Sequence, residues 1–197
     1  KDSGVSRFGK AVIEEMNRLG MIVDLSHAGK QTCLDAIEVS NKPVAISHAN
    51  PSFFHKSKRN IDTDILKKLV NKNGFIGLSL YPYHLKNLGD CTAEDFCEMI
   101  KELINLIGED NIGIGSDLCL NWPDNVVMWM RNGKWTKDID YGESKDKNPK
   151  WPNLPSWYKQ PSDLNNLFNL MCENNIPEKV STKIIGQNWF NFMKNQF

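Results

Sequence analysis

Four short apolar runs, at residues 21–25, 44–46, 75–80 and 112–117, alternate with stretches whose apolar residues recur at helical spacing. No hairpin turn signal joins one run to the next. A strand that cannot fold back through a tight turn reaches its neighbour by a crossover, and such crossovers are helical and right-handed. The pattern predicts an α/β chain of parallel strands joined by helices. The runs are mostly apolar and partly β-branched, as in strands buried on both faces.

The helical stretches carry their own start and stop signals. Phe8, Val12, Ile13, Met16 and Leu19 form one stripe, closed by Gly20. A second helix over 30–39 ends at the breaker Asn41-Lys42-Pro43. Asp62 is placed to cap a third through Ile65, Leu66, Leu69 and Val70, and Thr92, with Asp95 three residues on, a fourth striped by Phe96, Met99, Ile100, Leu103 and Leu106. Gly113 and Gly115 permit close approach of neighbouring backbone. Residues 121–161 then form a long Trp- and Pro-rich loop holding every Trp except Trp189, read as a lid or contact surface, or as rings that staple the loop to the body. Helices over 162–173 and 177–192 close the chain, with Pro177 at a first helical position.

Composition narrows the function classes. A length of 197 residues suits one domain, and 24 acidic against 24 basic side chains leave no field favouring nucleic acid or an anionic membrane. No apolar stretch approaches the ~18 residues of a membrane span. The first residues show no secretory signal pattern, and the chain does not start with Met, as in a processed, trimmed or partial sequence. Five cysteines without a C-x-x-C pair argue against a disulfide framework and a cysteine zinc site, and point to a reducing, cytoplasmic setting.

His27, His48 and Asp117 each fall at the C-terminal end of an expected strand, the edge where parallel sheets and barrels collect ligands and catalytic groups. Two imidazoles and a carboxylate there suit a zinc-type ion. One His at a strand end is ordinarily a hydrogen-bonded structural residue; two on successive strands, with an Asp on a later one, weaken that reading. Arg59 follows His48 on the same face, either to clamp a carboxylate or as a solvated residue beside Lys56 and Lys58. His55 and His84 lie off the strand ends and read as loop histidines. Asp24 reads as an orienting partner of an imidazole or as a buried, hydrogen-bonded Asp. Cys119 lacks an adjacent base, which argues against a nucleophile.

The stretch Glu-Met-Asn-Arg-Leu-Gly-Met-Ile-Val-Asp-Leu-Ser-His at 15–27, then Ser47-His48, Arg59-Asn60 and Gly113-Ile-Gly-Ser-Asp117, resembles the renal (membrane) dipeptidase family of zinc peptidases. The closing Gly186-Gln-Asn-Trp-Phe is similar to the last segment of that family, and the Trp-rich stretch resembles a bacterial subgroup. The resemblance implies a (β/α)8 TIM barrel with two zinc ions that hydrolyses dipeptides through a metal-bound hydroxide, often with a D-residue at the C-terminal position. It further implies that His27 and His48 hold one zinc, that Arg59 holds the substrate's terminal carboxylate, and that Asp117 is the general acid/base.

The family's His-x-Asp pair, its metal-bridging Glu and a further substrate-contacting His come from the first barrel half, which has no counterpart here. A second Asp after the Gly-Ser-Asp is also missing, since this chain reads Leu118-Cys-Leu-Asn121. The expectation is the C-terminal half of a barrel, four parallel strand-helix units plus C-terminal helices in one domain, 1–197. An N-terminal half or a second chain would complete it; a homodimer is one form. The alternatives are a non-catalytic or incomplete half-barrel, and an amidohydrolase acting on lactams or N-acyl amino acids.

Overall fold

The computed structural model describes residues 2–127 and 150–196. Three strands, β1 (Ala45–Ile46), β2 (Phe75–Leu78) and β3 (Ile112–Ile114), form a parallel sheet in that spatial order. Ala45 pairs with Phe75, and Ile76 with Ile112. The expected strand at 21–25 takes the next position beyond β1, but through a single parallel bridge between Asp24 and Ala45. Ala45 N–H donates to Val23 O at 3.0 Å and Leu25 N–H to Ala45 O at 2.8 Å. The ladder stops there because the Asp24 carboxylate accepts the N–H groups of Ser26 and Ser47, at 3.1 and 3.0 Å, and both segments leave the sheet to do so.

Helices α1 (Arg7–Arg18), α2 (Lys30–Val39), α3 (Thr63–Asn71), α4 (Ala93–Ile107) and α5 (Leu164–Glu173) cover one face of this sheet, each in contact with the next. Their apolar stripes meet the strand residues Ile46, Ile76, Leu78 and Ile112 in the main core, with Leu66, Leu69, Phe96, Ile100 and Leu103 at its centre. The Thr92 hydroxyl caps α4 by accepting Asp95 N–H at 3.1 Å, as expected. Asp62 stands at the N-cap of α3 without a capping bond, because Lys30 and Ser52 engage its carboxylate at 2.8 and 3.0 Å.

The other face of the sheet is small and differently filled. Ala45 and Phe75 pack there with Phe192 and Trp189. The latter two come from α7 (Asn188–Lys194), which continues from α6 (Glu178–Thr182) through a π-turn at Lys183–Gln187. Asn188 Nδ2 donates to Ile112 O at 2.8 Å and Trp189 Nε1 to Ile114 O at 2.8 Å, so this final helix satisfies carbonyls of β3. Lys183 reinforces the attachment through Glu109 and Asp110, at 2.6 and 2.7 Å. Among the described residues no helix is long and apolar enough to cross a membrane.

Of the long 121–161 segment, Trp129 and Trp135 lie outside the described residues. Trp122 is exposed, whereas Trp157 donates Nε1 to Cys91 O at 2.7 Å and packs on Phe96 with ring centroids 5.3 Å apart. At its C-terminal end the loop is therefore fastened to the α4 side of the body.

Candidate metal centre

His27 and His48 follow successive parallel segments, and the fold brings their rings together. The two Nε2 atoms lie 3.1 Å apart, with ring centroids at 5.1 Å and planes at 62°. Behind His48, Nδ1 meets Ser47 Oγ at 2.7 Å, and that hydroxyl donates to Asp24 Oδ2 at 2.5 Å. Ser26 Oγ donates to Asp24 Oδ1 at 2.6 Å and accepts His48 N–H at 3.2 Å. Asp24 thus orients His48 through two serines. Partial desolvation pushes its carboxyl up, but the Ser26 and Ser47 hydroxyls and N–H groups outweigh that and hold it below the ordinary range.

On the far side of His27, Arg59 Nη1 bonds to Nδ1. A guanidinium only donates, so the hydrogen-bond order assigns one set of protons. His27 accepts at Nδ1 and donates from Nε2 to His48, which donates from Nδ1 to Ser47. Burial, then the positive charge of Arg59 and that of His48 whenever it is protonated, hold the His27 imidazole below its ordinary pKa, while Asp117 and Asp24 pull it the other way. A neutral imidazole is the form that ligates metal.

The donor chemistry fits zinc. Two imidazole Nε2 atoms lie 3.1 Å apart, close enough for both to reach one ion, and the serine-carboxylate relay behind His48 is the outer support that ligating histidines use. The pair supplies two donors; among the described residues no group of three His, Cys, Asp or Glu side chains converges in a metal-holding arrangement.

Asp117 lies just past β3 with φ +54°, a left-handed conformation uncommon for Asp, and its charge is felt at His27. Next to it, Ser116 bonds to the buried Tyr158, which belongs to the long loop. All four expected site residues therefore stand on the same edge of the sheet. Cys119, two residues on from Asp117, is an exposed residue whose thiol is raised by partial desolvation and the Asp117 charge, which disfavours the reactive thiolate.

Sequence reasoning passed over His84. It is buried, its Nδ1 meets Ser79 Oγ at 2.8 Å, and the charges of Arg59, His48 and His27 act on it. The available signal was Ser79, a hydroxyl inside the third apolar run, which needs a polar partner once buried.

A model of the membrane dipeptidase family, peptidase family M19, matches residues 1–123. The chain belongs to the membrane dipeptidase family. An uncharacterized dipeptidase of Schizosaccharomyces pombe is 36% identical over 118 residues, which make up 59% of this chain and 28% of that protein. Dipeptidase tcpJ of Claviceps purpurea is 36% identical over 150 residues, 70% of this chain and 35% of its own.

Among solved structures, an amidohydrolase from Pseudomonas aeruginosa matches at 31% identity with a TM-score of 0.90, over 100% of this chain and 58% of its own. A metallo peptidase from Rhodobacter sphaeroides, solved with a phosphinate mimic of the dipeptide L-Ala-D-Ala, has the same fold with a TM-score of 0.75 at 22% identity. It is covered over 48% of its length. This membrane dipeptidase family chain spans about a third of those curated relatives and about half of those solved ones.

Proposed function

We propose that this chain carries one part of the active site of a zinc-dependent dipeptidase, with His27 and His48 holding one zinc of a pair, Arg59 the substrate's terminal carboxylate, and Asp117 the moving proton. The observation that carries the reading is the meeting of the His27 and His48 Nε2 atoms at 3.1 Å, on one sheet edge with Arg59 and Asp117, in a chain of this family. When bound, the zinc pair supplies a water acidic enough to be a nucleophile at neutral pH and polarises the peptide carbonyl.

The chain's own residues do the rest. For His27 to offer Nε2 as a donor, its proton must sit on Nδ1. That parts the Arg59 guanidinium from the ring and turns it to carboxylate recognition. A carboxylate held by Arg59 limits substrates to short peptides whose terminus reaches it. Asp117 takes the proton of the attacking water and delivers it to the leaving amine.

In this reading the chain is a single domain and the C-terminal half of a (β/α)8 barrel, with residues 121–161 as a loop inside it. The parallel order and the row of helices support it, as do the outer flank of α1 and the turn after it, where Phe8, Val12, Leu19 and Met21 are exposed as a surface awaiting a neighbour would have them. The remaining metal ligands come from an N-terminal half or a second chain. The free cysteines among the described residues fit a reducing, cytoplasmic compartment.

A second reading, an amidohydrolase acting on lactams or N-acyl amino acids, draws on the Pseudomonas aeruginosa amidohydrolase. Turnover of dipeptides, lactams and N-acyl amino acids by the intact protein, with and without chelator, separates the two. The dipeptidase reading expects chelator-sensitive dipeptide hydrolysis, with Asp117→Asn retaining zinc and losing ~10²-fold or more of the rate. Near-normal turnover in Asp117→Asn removes the proton role, and turnover confined to lactams or N-acyl amino acids removes the dipeptidase.

A further inference from the structure

Two buried amides join the loops that carry His48 and Arg59. Asn50, two residues beyond His48, is fully buried, and Asn60, next to Arg59, is 8% exposed. Asn50 Nδ2 donates to Ser79 O at 2.9 Å and His84 O at 3.1 Å, while its Oδ1 accepts Ser79 N–H at 3.1 Å. Asn60 Oδ1 accepts Asn50 N–H at 3.0 Å, and its Nδ2 donates to His55 O and His84 O, both at 2.9 Å. Ile61 N–H returns to Asn50 O at 2.8 Å.

Every side-chain hydrogen-bonding group of the two amides is used, and the carbonyl of His84 receives both. A satisfied polar network at low dielectric has one arrangement and resists local distortion. It ties together the exit of β1, the 51–62 loop, the exit of β2 and the short turn Pro82–His84. Core packing alone would not need polar groups there. What the network fixes that packing does not is the backbone on either side of Arg59, a long side chain on a loop whose usefulness depends on where its stem begins.

We propose that Asn50 and Asn60 are positioning residues for substrate recognition: they lock the 51–62 loop to the strand exits so that the Arg59 stem starts at the site edge near His27, from which the guanidinium, released from the ring, reaches a substrate carboxylate. The inference rests on the dipeptidase reading and assigns the two amides no contact with substrate.

The test compares Asn60→Ala and Asn60→Ser with the unaltered intact protein, on a dipeptide and on its C-terminally amidated analogue. Asn60→Ser keeps a hydroxyl for the Asn50 N–H and decides the matter should the alanine variant fail to fold. The expected result is a KM for the dipeptide raised roughly 10- to 100-fold, with kcat within about twofold. Zinc content should be unchanged and the amide analogue equally poor in all forms. Combined with Arg59→Ala, Asn60→Ala should add nothing, because the group it positions is gone.

An unchanged KM, or equal losses for acid and amide, overturns the proposal and leaves the amides with a folding role only. Absence of dipeptide turnover in the unaltered protein sinks the dipeptidase reading instead. Calorimetric affinity for the dipeptide then still reads positioning: weaker binding in both variants supports it, and unchanged binding contradicts it.

Discussion

His84 makes stability depend on pH. Burial, then the positive charge of Arg59 and those that His48, His27 and His55 take on as they protonate, push its imidazole down to about 3. In the unfolded chain it takes a proton near the ordinary ~6.5. Between those values the unfolded state binds a proton that the folded state refuses. This contribution is therefore complete above the unfolded pKa and declines as pH falls, by about 1.4 kcal/mol per pH unit for this one group. Urea unfolding in the presence of chelator should show a larger loss between pH 7 and pH 5 in the unaltered protein than in His84→Gln; equal losses would mean that His84 is protonated when folded. His27 and His48 are legible in the sequence because each ends an apolar run. His84 is not, because its address depends on the short turn Pro82–His84 folding it back onto Ser79. Asn50 and Asn60 are hidden for a related reason: a polar residue in a loop reads as solvated, and only the closing of several loops buries it.

The exit of β1 crosses the sheet rather than continuing along it. A Cβ placed on either Gly77 or Gly115 would fall on the carbonyl oxygen of Ser47, so this crossing requires two residues without side chains. His48 follows Ser47 directly, so the same close approach fixes the backbone from which its ring projects. Gly115→Ala must push the Ser47 segment away, and the expected cost is about 1–3 kcal/mol of stability together with weakened zinc binding. Thermal unfolding and zinc titration of the folded variant check this, and a variant with unaltered zinc affinity would show that the crossing does not place His48. Close approach at Gly115 is legible from the Ile-Gly-Ile-Gly run, and the Thr92 cap from its spacing to Asp95. The role of Asp62 is not, because a cap residue chooses among partners and Lys30 and Ser52 come from elsewhere. Nor is the reduction of the first expected strand to one bridge, since the run 21–25 has suitable residues and only the Asp24 bonds to Ser26 and Ser47 end its pairing.

The parallel sheet directs four groups of three chemical kinds to one edge: two imidazoles, a guanidinium and a carboxylate. The helices on one face and Trp189 with Phe192 on the other hold that edge in place. The proposed metal centre depends on His27 and His48 as donors and on further ligands from outside the described residues. Elemental analysis of zinc in the purified intact protein, beside the His27→Ala/His48→Ala double variant, tests this assignment. About two zinc ions per polypeptide are expected, falling to one or none in a variant whose circular dichroism is unchanged. A protein without zinc, or a double variant that retains the full complement, would contradict the assignment of these histidines as ligands.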